Sequence, residues 1–166
     1  MTEPDQANQG NTAQEDERRF AIHKIYTKDI SFETPNSPQI FSGTQWSPDI
    51  NLQLSNKGVL LSPGIHEVTL TLTITAKQDD KTAYLVEVQQ AGIFNIEGLK
   101  EEEIPAIVGS YCPTILFPYA REVVSDLVIR GGFPQLVLNP VNFDALYVQH
   151  VKEMKHKQVG EQATTH

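Results

Sequence analysis

The chain has a single cysteine, Cys112, among 166 residues, so no intrachain disulfide can form, which fits a reducing compartment. It also lacks histidines paired at three- or four-residue spacing, the arrangement by which one helix offers two ligands to a metal. His23, His66, His150, His156 and His166 are scattered, and no metal site or cofactor is expected. Basic residues are few: 13 against 21 acidic ones give a net charge of −8. With no basic cluster, a nucleic-acid backbone would be repelled. No apolar run approaches the ~20 residues that span a bilayer, so direct membrane insertion is not expected. The start, MTEPDQANQGNTAQEDERR, lacks the basic, apolar and small-residue regions of a secretory signal, and a cytoplasmic protein is expected.

What is present is a core-forming middle between two polar ends. With 39% hydrophobic residues, the chain can build one domain with a true core. Residues 1–18 are rich in Asn, Gln, Glu, Asp and Thr, so ordering them would cost entropy with little burial in return. They are expected to form a disordered tail. Residues 155–166, KHKQVGEQATTH, repeat that composition and predict a second, flexible tail, leaving 19–154 as the folded domain.

Period-two alternation is clearest from Ile65 to Ala76, where Val68, Leu70, Leu72 and Ile74 share one face and Glu67, Thr69, Thr71, Thr73 and Thr75 the other. After the turn-like QDDK at 78–81, Tyr84, Val86 and Val88 alternate with Leu85, Glu87 and Gln89, so the two runs predict a hairpin. Phe20, Ile22, Tyr26, Ile30 and Phe32 are expected on one side of an earlier strand, and Ile50, Leu52 and Leu54 mark another. Between these two lies TPNSPQIFSGTQWSPD, a proline-rich loop carrying Phe41 and Trp46.

The period then becomes helical. Ile115, Tyr119, Val123 and Leu127 recur at four-residue spacing, widened by Leu116, Ala120, Val124 and Val128. Pro113 suits the first turn of this helix and Gly131-Gly132 its end, while Pro118 predicts a kink or a displaced start. Asn142 can cap a last helix bearing Phe143, Leu146, Tyr147, Val151 and Met154. Strands followed by helices predict an α+β fold: a four-stranded antiparallel sheet packed with a long helix and a C-terminal helix.

No set of polar residues converges on catalysis. Cys112 beside Pro113 is either a thiol activated at a helix N-terminus or, as is common for lone cysteines, a small buried hydrophobe. Gly131-Gly132 lacks the Lys-Ser/Thr of a phosphate loop and reads as a helix stop. Glu101-Glu102-Glu103 reads as a solvated helix start. Asp29 and Glu33, four apart on a strand, project opposite Ile30 and Phe32 onto the wet face, and Leu85 and Glu87 also share a face. Acids around an apolar residue make either a dock for a basic partner or an ordinary solvated strand. The aromatics Phe41, Trp46 and Tyr84 are core fillers or the lining of a groove for extended apolar peptide; spacing favours core for Tyr84.

The segments IYTKDISFE (25–33), EVQQAGIF (87–94), YCPTILFPYARE (111–122) and FPQLVLNPVNFDAL (133–146) closely resemble the SecB family of bacterial protein-export chaperones. Four separated segments in the right order are far more specific than one motif, and the resemblance covers the whole core. It implies a cytosolic homotetramer, a dimer of dimers, that holds unfolded secretory precursors and passes them to the SecA ATPase without a cofactor. It also implies sheets pairing across subunits and long helices packed between dimers, with Tyr111, Cys112, Tyr119 and Val123 at the oligomer interface. Carried onto this chain, Asp29, Glu33, Leu85 and Glu87 resemble the surface that meets the zinc-containing tail of SecA. Phe41, Trp46 and Tyr84 fall in or near the client groove.

Val86 and Ala91 stand where the best-known members have Cys and Gly, and the C-terminal tail is more basic than is usual in the family. Two rival readings remain. A chaperone dedicated to a toxin-antitoxin pair would keep the groove and lose the SecA surface, whereas all four docking residues are present. A small acyl-thioester hydrolase would suit a sheet wrapped on a helix, but no polar set accompanies Glu122 or Asp126.

Overall fold

The fold is described from a computed structural model over residues 17–163, Thr44 excepted, with only the backbone described for 161–163. The expected amino-terminal tail, 1–18, therefore lies outside the described residues except for Glu17 and Arg18. Four antiparallel strands, β1 (Arg19–Glu33), β2 (Asp49–Ser62), β3 (Ile65–Gln78) and β4 (Lys81–Glu97), form one sheet in the order β1-β4-β3-β2. The β3–β4 hairpin turns through Asp79 and Asp80, both at positive φ (50° and 61°), which matches the twist of the flanking strands.

The alternation of β3 and β4 buries one face completely. Val68, Leu70, Leu72 and Ile74 join Tyr84, Val86, Val88 and Phe94 beneath the long helix α2 (Cys112–Arg130). The helix contributes Cys112, Leu116, Ala120, Val124 and Val128, one side chain per turn. Gly92 lets this packing close, since a Cβ there would fall 2.7 Å from the Phe94 ring and 3.2 Å from Leu116. Among the described residues no helix covers the other sheet face, so β1 to β4 carry a bare, polar surface opposite the core there.

Strand β1 departs from the expected alternation. Register shifts between Ile22 and Lys24 and again between Thr27 and Asp29 each insert one residue and invert the parity between them. Phe20, Ile22, Ile30 and Phe32 keep the expected side, whereas Tyr26 lies on the bare face and donates its hydroxyl to Glu67.

Helical structure starts earlier than Pro113, with α1 (Ile104–Ala106) and a wide π-helical turn over Ile107–Tyr111 in which the Cys112 N–H reaches the Ile107 carbonyl. Pro113 has no N–H for the carbonyl four residues back, and the widened turn before it absorbs that loss. The irregularity falls there, not at Pro118, which sits on the exposed side of an unbroken α2. The helix ends as expected at Gly131-Gly132: Phe133 N–H bonds the Val128 carbonyl (3.2 Å) and Gly132 N–H that of Ile129 (3.0 Å), with Gly132 at φ 86°.

The Asn142 side chain caps α3 (Phe143–Ala163) by accepting the Ala145 N–H at 3.0 Å. This helix runs through residues 155–163, where composition predicts a tail. Lys, Gln, Glu and Ala are good helix formers whether or not they bury anything, so scarcity of apolar residues removes packing without removing helix.

Candidate functional site

Two surfaces carry the residues singled out in the sequence, one on each side of the sheet. On the bare face, the β1–β4 register sets Glu33 opposite Leu85, Ser31 opposite Glu87 and Asp29 opposite Gln89. On its other side β4 sets Leu85 opposite Thr75 and Glu87 opposite Thr73, whose hydroxyl donates to Glu87 Oε2 at 3.3 Å. Strand neighbours are about 4.8 Å apart, so Asp29, Glu33, Leu85 and Glu87 form one patch. Asp29 and Glu33 are exposed at the rim, and Leu85 and Glu87 are half-buried at its centre. The patch has one apolar side chain for contact and three carboxylates for a cation, and it can bind without doing chemistry.

The aromatic residues meet on the opposite side, where the loop after β1 approaches the end of α2. Phe133 lies 4.9 Å from Tyr84, 5.0 Å from Phe41 and 5.3 Å from Trp46 between ring centroids. Phe41 is 47% exposed and Trp46 half-buried, and both line a recess of about 560 Å³ with Phe133, Gly132, Gln78 and Lys81. Tyr84 does not line it. Only 1% exposed, it packs under Phe133 and stacks on Phe32 (5.9 Å) and Trp46 (6.4 Å), and burial pushes its hydroxyl pKa up. It is the floor of the cluster, as its spacing favoured, not a contact surface. Phe133 was missed: one aromatic after a glycine pair carries no period, and only the helix stop before it points its chain back toward the loop.

The four expected interface residues divide. Tyr111 and Tyr119 are 50% and 48% exposed and Val123 is half-buried at the margin of the core, with the Tyr111 ring edge-on to Phe20 of β1 at 4.9 Å. Cys112 is fully buried within this one chain and offers no surface to a second copy. The reason is helical phase: Cys112 precedes Leu116 and Ala120 at four-residue spacing and shares their core row. Burial pushes its thiol up to about 12, which removes the thiolate a nucleophile needs.

Among the described residues no group of three or more His, Cys, Asp or Glu stands close enough to hold a metal ion, and no helix is long and apolar enough to cross a membrane. Asp126 is ion-paired with Arg130 at 2.7 Å on the exposed side of α2. Fold and surfaces together define a binding protein: a sheet bare on one side, with an acidic patch there and an aromatic recess on the other.

The comparisons give that class a family. The profile described as Preprotein translocase subunit SecB matches residues 13–154, and the chain belongs to the SecB family. It is 59% identical over 150 residues to the protein-export protein SecB of Nitrosococcus oceani, covering 90% of this chain and 92% of that one. With the protein-export protein SecB of Methylococcus capsulatus it shares 55% over 153 residues, covering 92% and 97%. Among solved structures, the SecB-like chaperone Rv1957 of Mycobacterium tuberculosis, in complex with a ChAD peptide from the HigA1 antitoxin, superposes with a TM-score of 0.57. At 21% identity over 74% of this chain and 88% of that one, it supports the fold alone.

Proposed function

We propose that this chain is a cytoplasmic export chaperone, acting as a homotetramer without enzymatic activity, that holds unfolded secretory precursors and delivers them to the SecA ATPase. The observation that carries the reading is the separation of its two surfaces. An aromatic recess fit for extended apolar peptide and an acidic patch fit for a cationic partner lie on opposite sides of one rigid sheet, so client and partner can be bound together.

Holding follows from burial alone. Apolar client side chains entering the Phe41–Trp46–Phe133 recess gain roughly 25 cal/mol per Å² removed from water, with little demand on sequence. Release needs no hydrolysis by the chaperone, because a partner docked on the far face can compete for the same client. The presence of Asp29, Glu33, Leu85 and Glu87 on one patch favours SecA delivery over service to a single toxin-antitoxin pair.

The test is suppression of aggregation of an unfolded precursor, followed by its release on adding SecA and ATP. The double variant Asp29→Lys with Glu87→Lys should keep the suppression and weaken SecA binding ~10-fold or more, read by calorimetry. Equal SecA affinity in variant and parent would sink the docking assignment.

A further inference from the structure

The three carboxylates of the acidic patch are not held alike. Asp29 and Glu33 stand exposed on the edge strand β1, and among the described residues neither carboxylate accepts a hydrogen bond. Glu87, half-buried on β4, does: the Thr73 hydroxyl of β3 donates to its Oε2 at 3.3 Å. The pairing comes from the register, which sets Thr73 directly opposite Glu87 on one side and Ser31 opposite it on the other. Among the described residues the Ser31 hydroxyl makes no hydrogen bond to Glu87, so the carboxylate is tied toward β3. Asp29 and Glu33, opposite Gln89 and Leu85, are its two diagonal neighbours on β1.

Like charges on neighbouring strands repel, and a glutamate has three side-chain torsions through which to escape. Left untied, Glu87 would swing among several rotamers. Threonine is a stiff donor, because its β-branch restricts χ1, and a bond to one carboxylate oxygen leaves the other for an incoming cation. At 3.3 Å the bond is long for a hydroxyl donor, so it sets the direction of the carboxylate without competing strongly for it. Ordering the side chain before contact removes part of the entropy cost that docking would otherwise carry.

We propose that Thr73 is a positioning residue for docking on the bare sheet face: its hydroxyl holds the Glu87 carboxylate in place beside Leu85, ready for a partner's cationic side chain. The inference rests on the docking reading above and deepens it. Long-range attraction comes from the charge of the patch, which Thr73 does not alter, so encounter keeps its rate and the effect of the tie falls on how long the contact lasts.

Binding kinetics of SecA on the immobilised full-length chaperone test this. Thr73→Val keeps the β-branch and removes only the donor. It should speed dissociation ~4-fold and leave association within ~1.5-fold of the parent. Thr73→Ser, which returns the hydroxyl, should recover most of that loss. In a Glu87→Ala background, where no carboxylate remains to be positioned, Thr73→Val should add nothing. Suppression of precursor aggregation, which uses the recess on the other side of the sheet, should stay at the parent level in Thr73→Val and so report an intact fold. Parent-like dissociation of Thr73→Val while Glu87→Ala weakens binding would overturn the proposal and leave the docking reading standing; parent-like binding of Glu87→Ala would overturn both. Equal losses in Thr73→Val and Thr73→Ser, or a loss that persists in the Glu87→Ala background, would show that Thr73 does not act through a hydroxyl bond to Glu87 and would overturn it as well.

Discussion

Tyr26 shows how much one side chain's placement depends on backbone detail that composition does not announce. Two register shifts around it exchange the faces of the strand, and the shifted residues are ordinary ones, His23 and Lys28, not glycines that would mark a bulge. Hence Asp29 and Glu33 were legible, because they lie beyond the second shift where parity is restored, and Tyr26 was not. Its new position has an energetic consequence. The Lys28 ammonium, then the Tyr26 hydroxyl, hold the Glu67 carboxyl below its ordinary value of 4.5, while the hydrogen bond to Glu67 pushes Tyr26 up to about 12. A carboxyl lowered on folding adds stability that is complete above 4.5 and lost as pH falls through the folded value; a phenol raised on folding adds stability complete below 10 and lost toward 12. Tyr26→Phe should cost about 1 kcal/mol at pH 7, as for a part-exposed hydrogen bond to a charged group. The gap from the parent should shrink as pH drops below about 4.5, in urea unfolding midpoints at pH 7, 4 and 3. A gap unchanged at pH 3 would mean that the ionised carboxylate is not its source.

At the scale of elements, legibility followed the regularity of the side-chain period. The β3–β4 hairpin and the body of α2 were readable because each buries an uninterrupted stripe. The start of the helix was not, since the π-helical turn at Ile107–Tyr111 adds one residue to a turn and its residues, IVGSY, match no cap pattern. The far half of β2 was missed because Asn56, Lys57 and Gly58 break its alternation, although Gly58 is needed there: a Cβ would fall 2.3 Å from Val108. Gly131 is a sharper case, for it was legible as a helix stop but not as a contact. A Cβ at Gly131 would lie 2.2 Å from the Phe32 ring, which stacks on Tyr84, so the end of α2 and the aromatic floor are set by one missing side chain. Gly131→Ala should therefore destabilise the fold by about 2 kcal/mol, as overpacking in a core does. It should also shift Trp46 emission, because Trp46 rests on Tyr84. Parent-like stability with unchanged emission would show that Phe32 can move aside freely.

For the whole molecule, the arrangement of apolar residues on α2 argues that one chain is an incomplete unit. One row, Leu116, Ala120, Val124 and Val128, is consumed by the sheet. A second row, Tyr111 in the turn before it and Ile115, Tyr119 and Val123 along it, is only partly covered, with Tyr111 edge-on to Phe20 of β1 at 4.9 Å and Ile115 and Val123 packed at the margin of the core, and Ile22 and Ile30 on the edge strand β1 are also exposed. Two tyrosines in that row with about half their surface in water are costly for a solitary protein, and an unpaired edge strand is a hazard unless something covers it. A homotetramer, proposed above, removes both at once if β1 edges pair within dimers and α2 rows pack between them. The two contacts are then separable. Tyr119→Glu places a charge in the helix contact at a half-exposed position outside the buried core, so the fold should survive while the assembly divides. Light scattering should report a fall from four chains toward two, each of 18.6 kDa, with the circular dichroism of the parent retained. Client holding, which uses the recess around Trp46 and Phe133 rather than the outer row of α2, should weaken through loss of multiple recesses on one particle. A Tyr119→Glu variant that keeps the parent mass would put the contact between dimers elsewhere than on this row.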